Sequence, residues 1–167
     1  MQDPPNTSAR NPPDTGVPRT SKRDPSPDEL ISSAREAARF TYSPYSRFPV
    51  GAALLCADGS IVTGANVENR SFGLSNCAER SALFAAVSQG HTSFRAVAVF
   101  CPSADAPVSP CGACRQALSE FCPPETPVYY AGSDGTYTAT TIGELLPRDA
   151  LQGLKDTTAV KGPARTH

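Results

Sequence analysis

The sequence contains no tryptophan, a single methionine and two histidines, and it has no excess of positive charge. Its 15 lysines and arginines are balanced by 16 aspartates and glutamates, which gives a formal net charge of −1. This balance and the absence of tryptophan argue against a basic, aromatic surface for nucleic acid. No apolar run approaches the roughly 20 residues that a membrane span needs. We therefore expect neither a nucleic-acid partner nor a membrane partner.

Residues 1–23 also lack the apolar core of a secretory signal. We expect a protein that is not secreted and that resides in the cytoplasm, with the nucleus as an alternative compartment. In that setting the six cysteines are expected to be thiols or metal ligands more than disulfide partners.

Proline is concentrated near the N-terminus, where seven of the 17 prolines lie in residues 1–27. Residues 1–25 contain only Met1, Ala9 and Val17 as apolar side chains, so they cannot bury enough surface to offset the entropy of ordering. The whole length of 167 residues is that of one ordinary domain. The sequence predicts a disordered tail over residues 1–25, one folded domain over 26–154 and a flexible tail over 155–167.

Helix, strand and turn signals alternate along the folded region. Ser26 and Glu29 form a capping-box pattern with Pro27 at the first helical position, and Asp58-Gly59 between two apolar runs indicates a hairpin. The order α-β-β-α-β-α-β-β-α predicts a three-layer α/β/α sandwich around a mixed five-stranded sheet. The other expected elements are strands 50–56, 61–67, 96–101, 128–131 and one from 136, buried helices 76–89 and 111–121, and a short helix ending at 145–147.

Three cysteines stand at the starts of the two buried helices. Cys111 and Cys114 are spaced i, i+3 in one first turn, which places them on the same face. The positive end of a helix favours the thiolate, which is the form that binds zinc. Cys77 opens the other helix, two residues before Glu79. Three thiolates leave a fourth position for water, as in a catalytic zinc site.

The cysteines also have simpler interpretations. The C-x-x-C pair has the spacing of a redox motif, although Ser109 and Pro110 precede it in place of an active-site aromatic. A closed structural zinc site would need a fourth cysteine from Cys56, Cys101 or Cys122. Cys56 and Cys101 fit better as small core residues in strands.

Glu79 and Arg80 each have two interpretations. Glu79 has the spacing of a capping-box partner of Asn76, or it is a proton-transferring carboxylate beside the metal. Three thiolates around Zn²⁺ carry a net negative charge, and we expect Arg80 to donate to sulfur and offset it. The alternative for Arg80 is a solvent-facing side chain paired with a surface acid.

The pattern comprises six segments, two with the cysteines and four beyond them: 44–54 (PYSRFPVGAAL), 66–69 (NVEN), 77–80 (CAER), 110–116 (PCGACRQ), 133–137 (SDGTY) and 144–147 (ELLP). In this order and spacing, over about residues 27–150, they resemble the small, homotetrameric class of zinc-dependent cytidine deaminases. The resemblance implies the cytidine deaminase fold, one Zn²⁺ per chain and a pyrimidine nucleoside as small-molecule partner. It also implies a homotetramer with sites near the subunit interfaces.

The resemblance implies a hydrolytic mechanism. Cys77, Cys111 and Cys114 hold zinc, and neither histidine is placed as a ligand of this site. Zinc lowers the pKa of its bound water and yields hydroxide near neutral pH, while Glu79 passes the proton to N3 of cytosine. Attack at C4 and loss of ammonia convert cytidine and 2′-deoxycytidine to uridine and 2′-deoxyuridine, as in pyrimidine salvage.

The resemblance also assigns the substrate contacts. Phe48 stacks on the pyrimidine ring, the backbone at Ala78 reads the base edge, and Asn66 and Glu68 bind the ribose 3′-hydroxyl. Gln116 supports the metal ligands from behind. The simpler alternatives are an ordinary core aromatic for Phe48 and a solvated loop acid for Glu68.

The chain departs from the family pattern at three positions. After Asn69 the family usually has Ala and, two residues on, Tyr, where this chain has Arg70 and Phe72. In the family that loop reaches a neighbouring subunit's site near the ribose 5′-hydroxyl. Ala150 stands where the family commonly has Phe. Because Phe72 lacks a hydroxyl and Arg70 adds a bulky charge, we expect the contact at the 5′ end to differ.

Two other functions remain as alternatives. One is a deaminase of a related cytosine nucleoside or antibiotic, and the other is a non-catalytic structural zinc module. Asn66 and Glu68 favour a plain nucleoside, and Glu79 favours an enzyme.

Overall fold

The computed structural model of the protein describes residues 23–151. The predicted tail 155–167, and all but the last three residues of the predicted tail 1–25, lie outside the described residues. Where the first helix begins, the capping box is formed as predicted. Ser26 Oγ accepts from the Glu29 amide at 3.3 Å, and the Glu29 carboxylate accepts from the Ser26 amide at 2.7 Å. Pro27, at the first helical position, has no amide proton to leave unpaired.

The element order along the chain is the predicted α-β-β-α-β-α-β-β-α, with two short 3₁₀ turns at Ala38–Phe40 and Phe72–Leu74. The helices are α1 (Pro27–Ala37), α2 (Ala78–Ser88), α3 (Gly112–Ser119) and α4 (Ile142–Leu145). The strands are β1 (Gly51–Cys56), β2 (Ile61–Ala65), β3 (Phe94–Phe100), β4 (Pro127–Ala131) and β5 (Tyr137–Thr141). They form one sheet in the order β2-β1-β3-β4-β5, in which β3 and β4 are parallel and the other neighbours antiparallel.

Helices cover both faces of the sheet. Successive side chains of a strand point to opposite faces, so two neighbouring residues of β1 pack against different helices. Leu54 of β1 packs in one cluster with Leu83 of α2 and Leu118 of α3. Leu55, the next residue, packs in another cluster with Leu30 of α1. The protein is therefore the predicted three-layer sandwich with a mixed five-stranded sheet.

The glycine in β2 allows α2 to lie close to the sheet. A Cβ atom at Gly64 would overlap the backbone nitrogen of Ala82 and would lie 2.8 Å from the backbone oxygen of Ala78. No side chain larger than hydrogen fits there, so Gly64 sets the height of α2 above β2. The first turn of α2 carries the candidate active-site residues.

β2 ends at Ala65 rather than at the predicted residue 67. After Ala65 the chain leaves β1, and Val67 forms isolated bridges with Tyr42 and Asn76. The prediction of a longer strand was wrong because hydrophobic alternation continues through Val67, whose backbone hydrogen bonds are exchanged with Asn76 and not with β1. This detour brings Asn66 and Glu68 toward the start of α2.

α2 and α3 begin later than predicted, with Cys77 and Cys111 as extended N-cap residues. The expectation of a buried helix holds for one side of α2, where Ala82, Leu83 and Ala86 are buried, but not for Phe84, which is 52% exposed. In the part of the chain that the structure describes, no helix is long and apolar enough to cross a membrane.

Candidate active site

Three sulfur atoms converge where α2 and α3 begin. Cys111 Sγ lies 3.8 Å from Cys77 Sγ and 3.5 Å from Cys114 Sγ, and the three sulfurs lie within 4.8 Å of one another. Two corners of a tetrahedron with metal–sulfur bonds of about 2.3 Å are about 3.8 Å apart. The spacing and the donor type therefore fit one zinc ion.

The other cysteines do not join this group. All six cysteines are free thiols, and within residues 23–151 no fourth cysteine, histidine or carboxylate joins the group of Cys77, Cys111 and Cys114. Cys56, Cys101 and Cys122 are buried, as expected of core residues for the first two. The arrangement is that of an open three-ligand site and not of a closed four-cysteine site.

Arg80 lies beside the sulfurs, as predicted from the charge of three thiolates. Its Nη2 donates to Cys77 Sγ at 3.5 Å, and the side chain is half-buried with a buried Nε. Hydrogen bonds from the Cys114 thiol and from Arg80 lower the pKa of Cys77 to about 5. The site thus favours a thiolate at Cys77 even before a metal is considered.

Glu79 is buried, with 4% of its surface exposed, and it lines the same cavity as Cys77. The capping-box interpretation of Glu79 was wrong. The N-cap of α2 is Cys77, and Asn76 instead donates to Ser81 Oγ at 3.1 Å. Burial raises the pKa of Glu79, and the negative charge of Cys77 adds to this effect. A carboxyl group with a raised pKa can both take and give a proton near neutral pH.

A cavity of about 390 Å³ opens beside the sulfurs. Phe48 lines it with 38% of its surface exposed, so it is not a core aromatic, and Ala78 lines it at the helix start. Sequence analysis missed several lining residues next to the metal-binding segments. Their proximity in sequence to Cys77 and Cys111 was the available signal. They are Ser75, Asn76, Val108 and Ser109.

Asn66 and Glu68 line the cavity and also hold the loop that carries Phe48. The Asn66 side-chain oxygen accepts from the Val50 amide at 2.8 Å and from the Thr41 hydroxyl, and its nitrogen donates to the Phe48 carbonyl at 2.9 Å. Glu68 Oε2 accepts from the amides of Tyr45 and Ser46 at 2.9 and 3.2 Å. Hydrogen bonds from Ser46 and Tyr45 lower the pKa of Glu68, and its contacts with both amides show that it fixes this loop.

Arg115 and Gln116, which follow Cys114, hold neighbouring segments in place. Arg115 donates to the Pro110 carbonyl at 2.7 Å, to Ser109 Oγ at 2.9 Å and to the Leu145 carbonyl at 3.1 Å. Together these three hydrogen bonds tie the loop before Cys111 to α4. Gln116 donates to Ser119 Oγ and to Asp149 at 3.3 and 3.2 Å. Its predicted support of the metal ligands stays a prediction.

The positions that depart from the family pattern lie on the surface. Phe72 is 74% exposed and meets the Tyr45 ring edge-on, with 5.7 Å between centroids. Arg70 and Ala150 are exposed as well. Phe72 therefore reaches the loop held by Glu68, although it brings no hydroxyl.

A family model described as the cytidine and deoxycytidylate deaminase zinc-binding region matches residues 25–130. The chain belongs to this deaminase family. Curated cytidine deaminases from Sporosarcina psychrophila and Halalkalibacterium halodurans are 50% and 52% identical to it. These matches cover 72% and 71% of this chain and 88% and 89% of the relatives. A solved structure of cytidine deaminase from Burkholderia pseudomallei superposes with a TM-score of 0.68 at 46% identity, covering 71% of this chain and 94% of that one.

The family and fold inferred from the sequence are confirmed. The matched region of the deaminase is a zinc-binding region, and the three-sulfur group is a zinc donor set by spacing and softness. The protein is a zinc-dependent hydrolytic deaminase.

Proposed function

We propose that this deaminase converts cytidine and 2′-deoxycytidine to uridine and 2′-deoxyuridine, with release of ammonia. The observation that carries the proposal is one cavity lined by a buried carboxylate, Glu79, by two of three convergent sulfurs, and by the polar pair Asn66 and Glu68. Relatives about half identical in sequence are named cytidine deaminases, which supports the same substrate class.

Cys77, Cys111 and Cys114 hold the zinc ion in this proposal. Cys77 and Cys111 line the cavity while Cys114 is buried, so an ion held by the three sulfurs would be reached from the cavity. Zinc bound there lowers the pKa of a water molecule and supplies a nucleophile near neutral pH. Arg80, at 3.5 Å from Cys77 Sγ, offsets part of the negative charge of the thiolates.

Glu79 moves the protons. It takes one proton from the attacking water and gives it to N3 of the pyrimidine. It then takes the second proton from the new hydroxyl at C4 and gives it to the amino group, so that the C–N bond breaks, ammonia leaves and the C4 carbonyl forms. Its burial and raised pKa suit a group that must alternate between carboxylate and carboxylic acid.

Phe48, Ala78, Asn66 and Glu68 position the nucleoside. The Phe48 ring stacks on the base, and the Ala78 backbone at the cavity wall reads the base edge. The hydrogen bonds of Glu68 to the loop use Oε2, so Oε1 is left to accept from the ribose 3′-hydroxyl. The Asn66 side chain donates one amide proton to the Phe48 carbonyl, and its second amide proton can be donated to the oxygen of the same ribose hydroxyl.

We extend the proposal to a homotetramer with active sites near its interfaces, acting in pyrimidine salvage in the cytoplasm. Large apolar side chains exposed near the cavity mouth support the assembly, because a single chain leaves Phe72 and Leu74 74% and 72% exposed. Light scattering on the purified protein checks this, with four times the chain mass expected. A monomer mass at working concentration contradicts it.

A substrate panel tests the proposed function. Ammonia release is measured with cytidine, 2′-deoxycytidine, free cytosine, a cytosine-bearing nucleoside antibiotic and a single-stranded oligonucleotide. We expect turnover of the two nucleosides and far slower release from the other three. Faster release from the antibiotic favours that alternative, and a zinc-loaded protein that releases no ammonia from any compound is a structural zinc module.

A further inference from the structure

A second group of metal-ligand side chains lies at the other end of the sheet from the candidate active site. Cys56 is the last residue of β1, Asp58 lies in the β1–β2 turn, and His91 follows α2. Val50, just before β1, lines the active-site cavity. Six strand residues at about 3.3 Å each place Cys56 about 20 Å away. This group is therefore separate from the three active-site cysteines.

The ligand atoms of the second group face one another. The Cys56 sulfur, an Asp58 oxygen and a His91 ring nitrogen all lie within 4.8 Å of each other, and Asp58 Oδ2 lies 3.8 Å from His91 Nδ1. Cys56 is fully buried, whereas the Asp58 and His91 side chains are 51% and 26% exposed. The sulfur thus forms the inner wall of a site whose outer side is open to water.

Backbone and turn hydrogen bonds fix each of the three residues. The Cys56 amide donates to the Ser60 carbonyl at 2.8 Å, and its carbonyl accepts from Gly59 at 3.0 Å. Asp58 Oδ1 accepts from the Ser60 amide and hydroxyl at 2.9 and 2.6 Å, which leaves Oδ2 toward the imidazole. The His91 amide donates to the Ala86 carbonyl at 3.0 Å. The three residues are therefore already held in place, and a bound metal ion would have to order little of the backbone.

We propose that Cys56, Asp58 and His91 form a second, non-catalytic site for Zn²⁺ or a similar divalent transition ion. A thiolate with an imidazole and a carboxylate suits zinc and its neighbours, whereas Mg²⁺ and Ca²⁺ prefer oxygen ligands alone. Three protein ligands and one water complete a tetrahedron. The bound ion joins the β1–β2 turn to the link between α2 and β3. It binds more weakly than the ion held by three thiolates, so it is exchangeable.

The chain contains a matched turn without the other two ligands. Asp134 accepts from the Thr136 amide and hydroxyl at 2.9 and 2.8 Å, as Asp58 does from Ser60. In each turn a glycine with positive φ stands between the aspartate and its hydroxyl partner, with 88° at Gly59 and 82° at Gly135. Among the described residues Asp134 belongs to no group of metal ligands. Asp134→Asn therefore controls for the loss of an aspartate from such a turn.

Metal content tests the second site in the full chain. The purified protein is dialysed first against zinc-free buffer and then against buffer with micromolar zinc, and zinc per chain is measured after each step. By ligand count, the wild type and Asp134→Asn should rise from about one to about two zinc ions per chain. Asp58→Asn and His91→Gln should stay at about one while retaining deaminase activity.

Thermal unfolding provides a second measurement. Added zinc should raise the midpoint of the dialysed wild type and of Asp134→Asn, because a ligand that binds only the folded state stabilises it. The same zinc should leave Asp58→Asn and His91→Gln unchanged, and Mg²⁺ should leave all four unchanged. A wild type that stays at one zinc overturns the site, as does a His91→Gln variant that reaches two. Neither result bears on turnover of cytidine.

Discussion

At the scale of single residues, Glu79 is the side chain whose chemistry is simplest to isolate. Glu79→Gln keeps the volume and the position in the buried first turn of α2 but cannot carry a proton. We expect the variant to retain zinc and its fold while kcat falls by roughly 10²–10⁴ or more. Zinc analysis and cytidine turnover on the same sample check this. Turnover near the wild-type rate shows that Glu79 only fills space in the core.

Glu68 joins two functions in the proposed binding mode, because it holds the Tyr45–Ser46 backbone and lines the cavity where the ribose is proposed to bind. Glu68→Ala should reduce kcat/KM for cytidine by a factor that corresponds to about 1.5–3 kcal/mol, the value of a charge-assisted hydrogen bond. Any turnover of free cytosine should change much less, since cytosine has no ribose.

Glu68→Gln separates the two functions. The amide oxygen can still accept from the Tyr45 and Ser46 amides, so the loop stays in place while the charge toward the sugar is lost. We expect its cytidine KM to lie between those of the wild type and Glu68→Ala. If all three proteins share one KM for cytidine, Glu68 does not bind substrate.

Arg80 should tune the acidic limb of the rate profile. Removing its charge makes the three-thiolate site more negative, so the nucleophilic water is harder to ionise. It also removes an influence that lowers the pKa of Glu79. Both effects raise the pKa of a group that must lose a proton. The acidic limb of kcat should therefore move to higher pH in Arg80→Ala, with a lower maximum and partly retained zinc.

The control for Arg80→Ala is Arg39→Ala. Arg39 is an exposed arginine paired with Glu36 at 2.9 Å, an ion pair of a kind that contributes little. Profiles of kcat against pH, with zinc content measured in parallel, compare the variants. An Arg80→Ala profile that superposes on the control removes Arg80 from the metal site.

At the scale of elements, the approach of α2 to β2 depends on one missing Cβ. Gly64→Ala forces the backbone of α2 away from the sheet. It should lower the free energy of unfolding by about 1–3 kcal/mol, as overpacking does. Since Cys77, Glu79 and Arg80 sit at the start of α2, cytidine turnover should fall as well. Gly73→Ala is the control, because nothing lies within 4 Å of a Cβ there. Equal denaturant midpoints for the two variants contradict this account.

At the scale of the whole molecule, the proposed zinc ligands come from segments that are far apart in sequence. Cys77 and Cys111 are 34 residues apart and lie on different helices, so a shared ion cross-links α2 to α3. Cys114→Ser, or removal of zinc by a strong chelator, should lower the unfolding midpoint as well as abolish turnover, because metal binding is coupled to folding. Calorimetry before and after chelation measures the shift. An unchanged midpoint in a zinc-free protein shows that the metal is not structural.

Local patterns in the sequence were sufficient for the elements and for the chemical type of the site. The Ser26–Glu29 capping box, the turn at Asp58-Gly59 and the element order are formed as predicted. They depend on backbone preferences and hydrogen bonds within a few residues. The spacing of Cys111 and Cys114 in one helical turn likewise brings their sulfurs to 3.5 Å.

The tertiary structure alone decided what depends on contacts between distant segments. The 3.8 Å approach of Cys77 to Cys111 requires both helices to be seated on one face of the sheet. The early end of β2 follows from bridges of Val67 to Tyr42 and Asn76, which no period of hydrophobicity encodes. The exposure of Phe84 and the proximity of His91 to Asp58 also depend on contacts between segments that are distant in sequence. Which side of an apolar helix is covered, and which loops meet, is set by the order and packing of the strands.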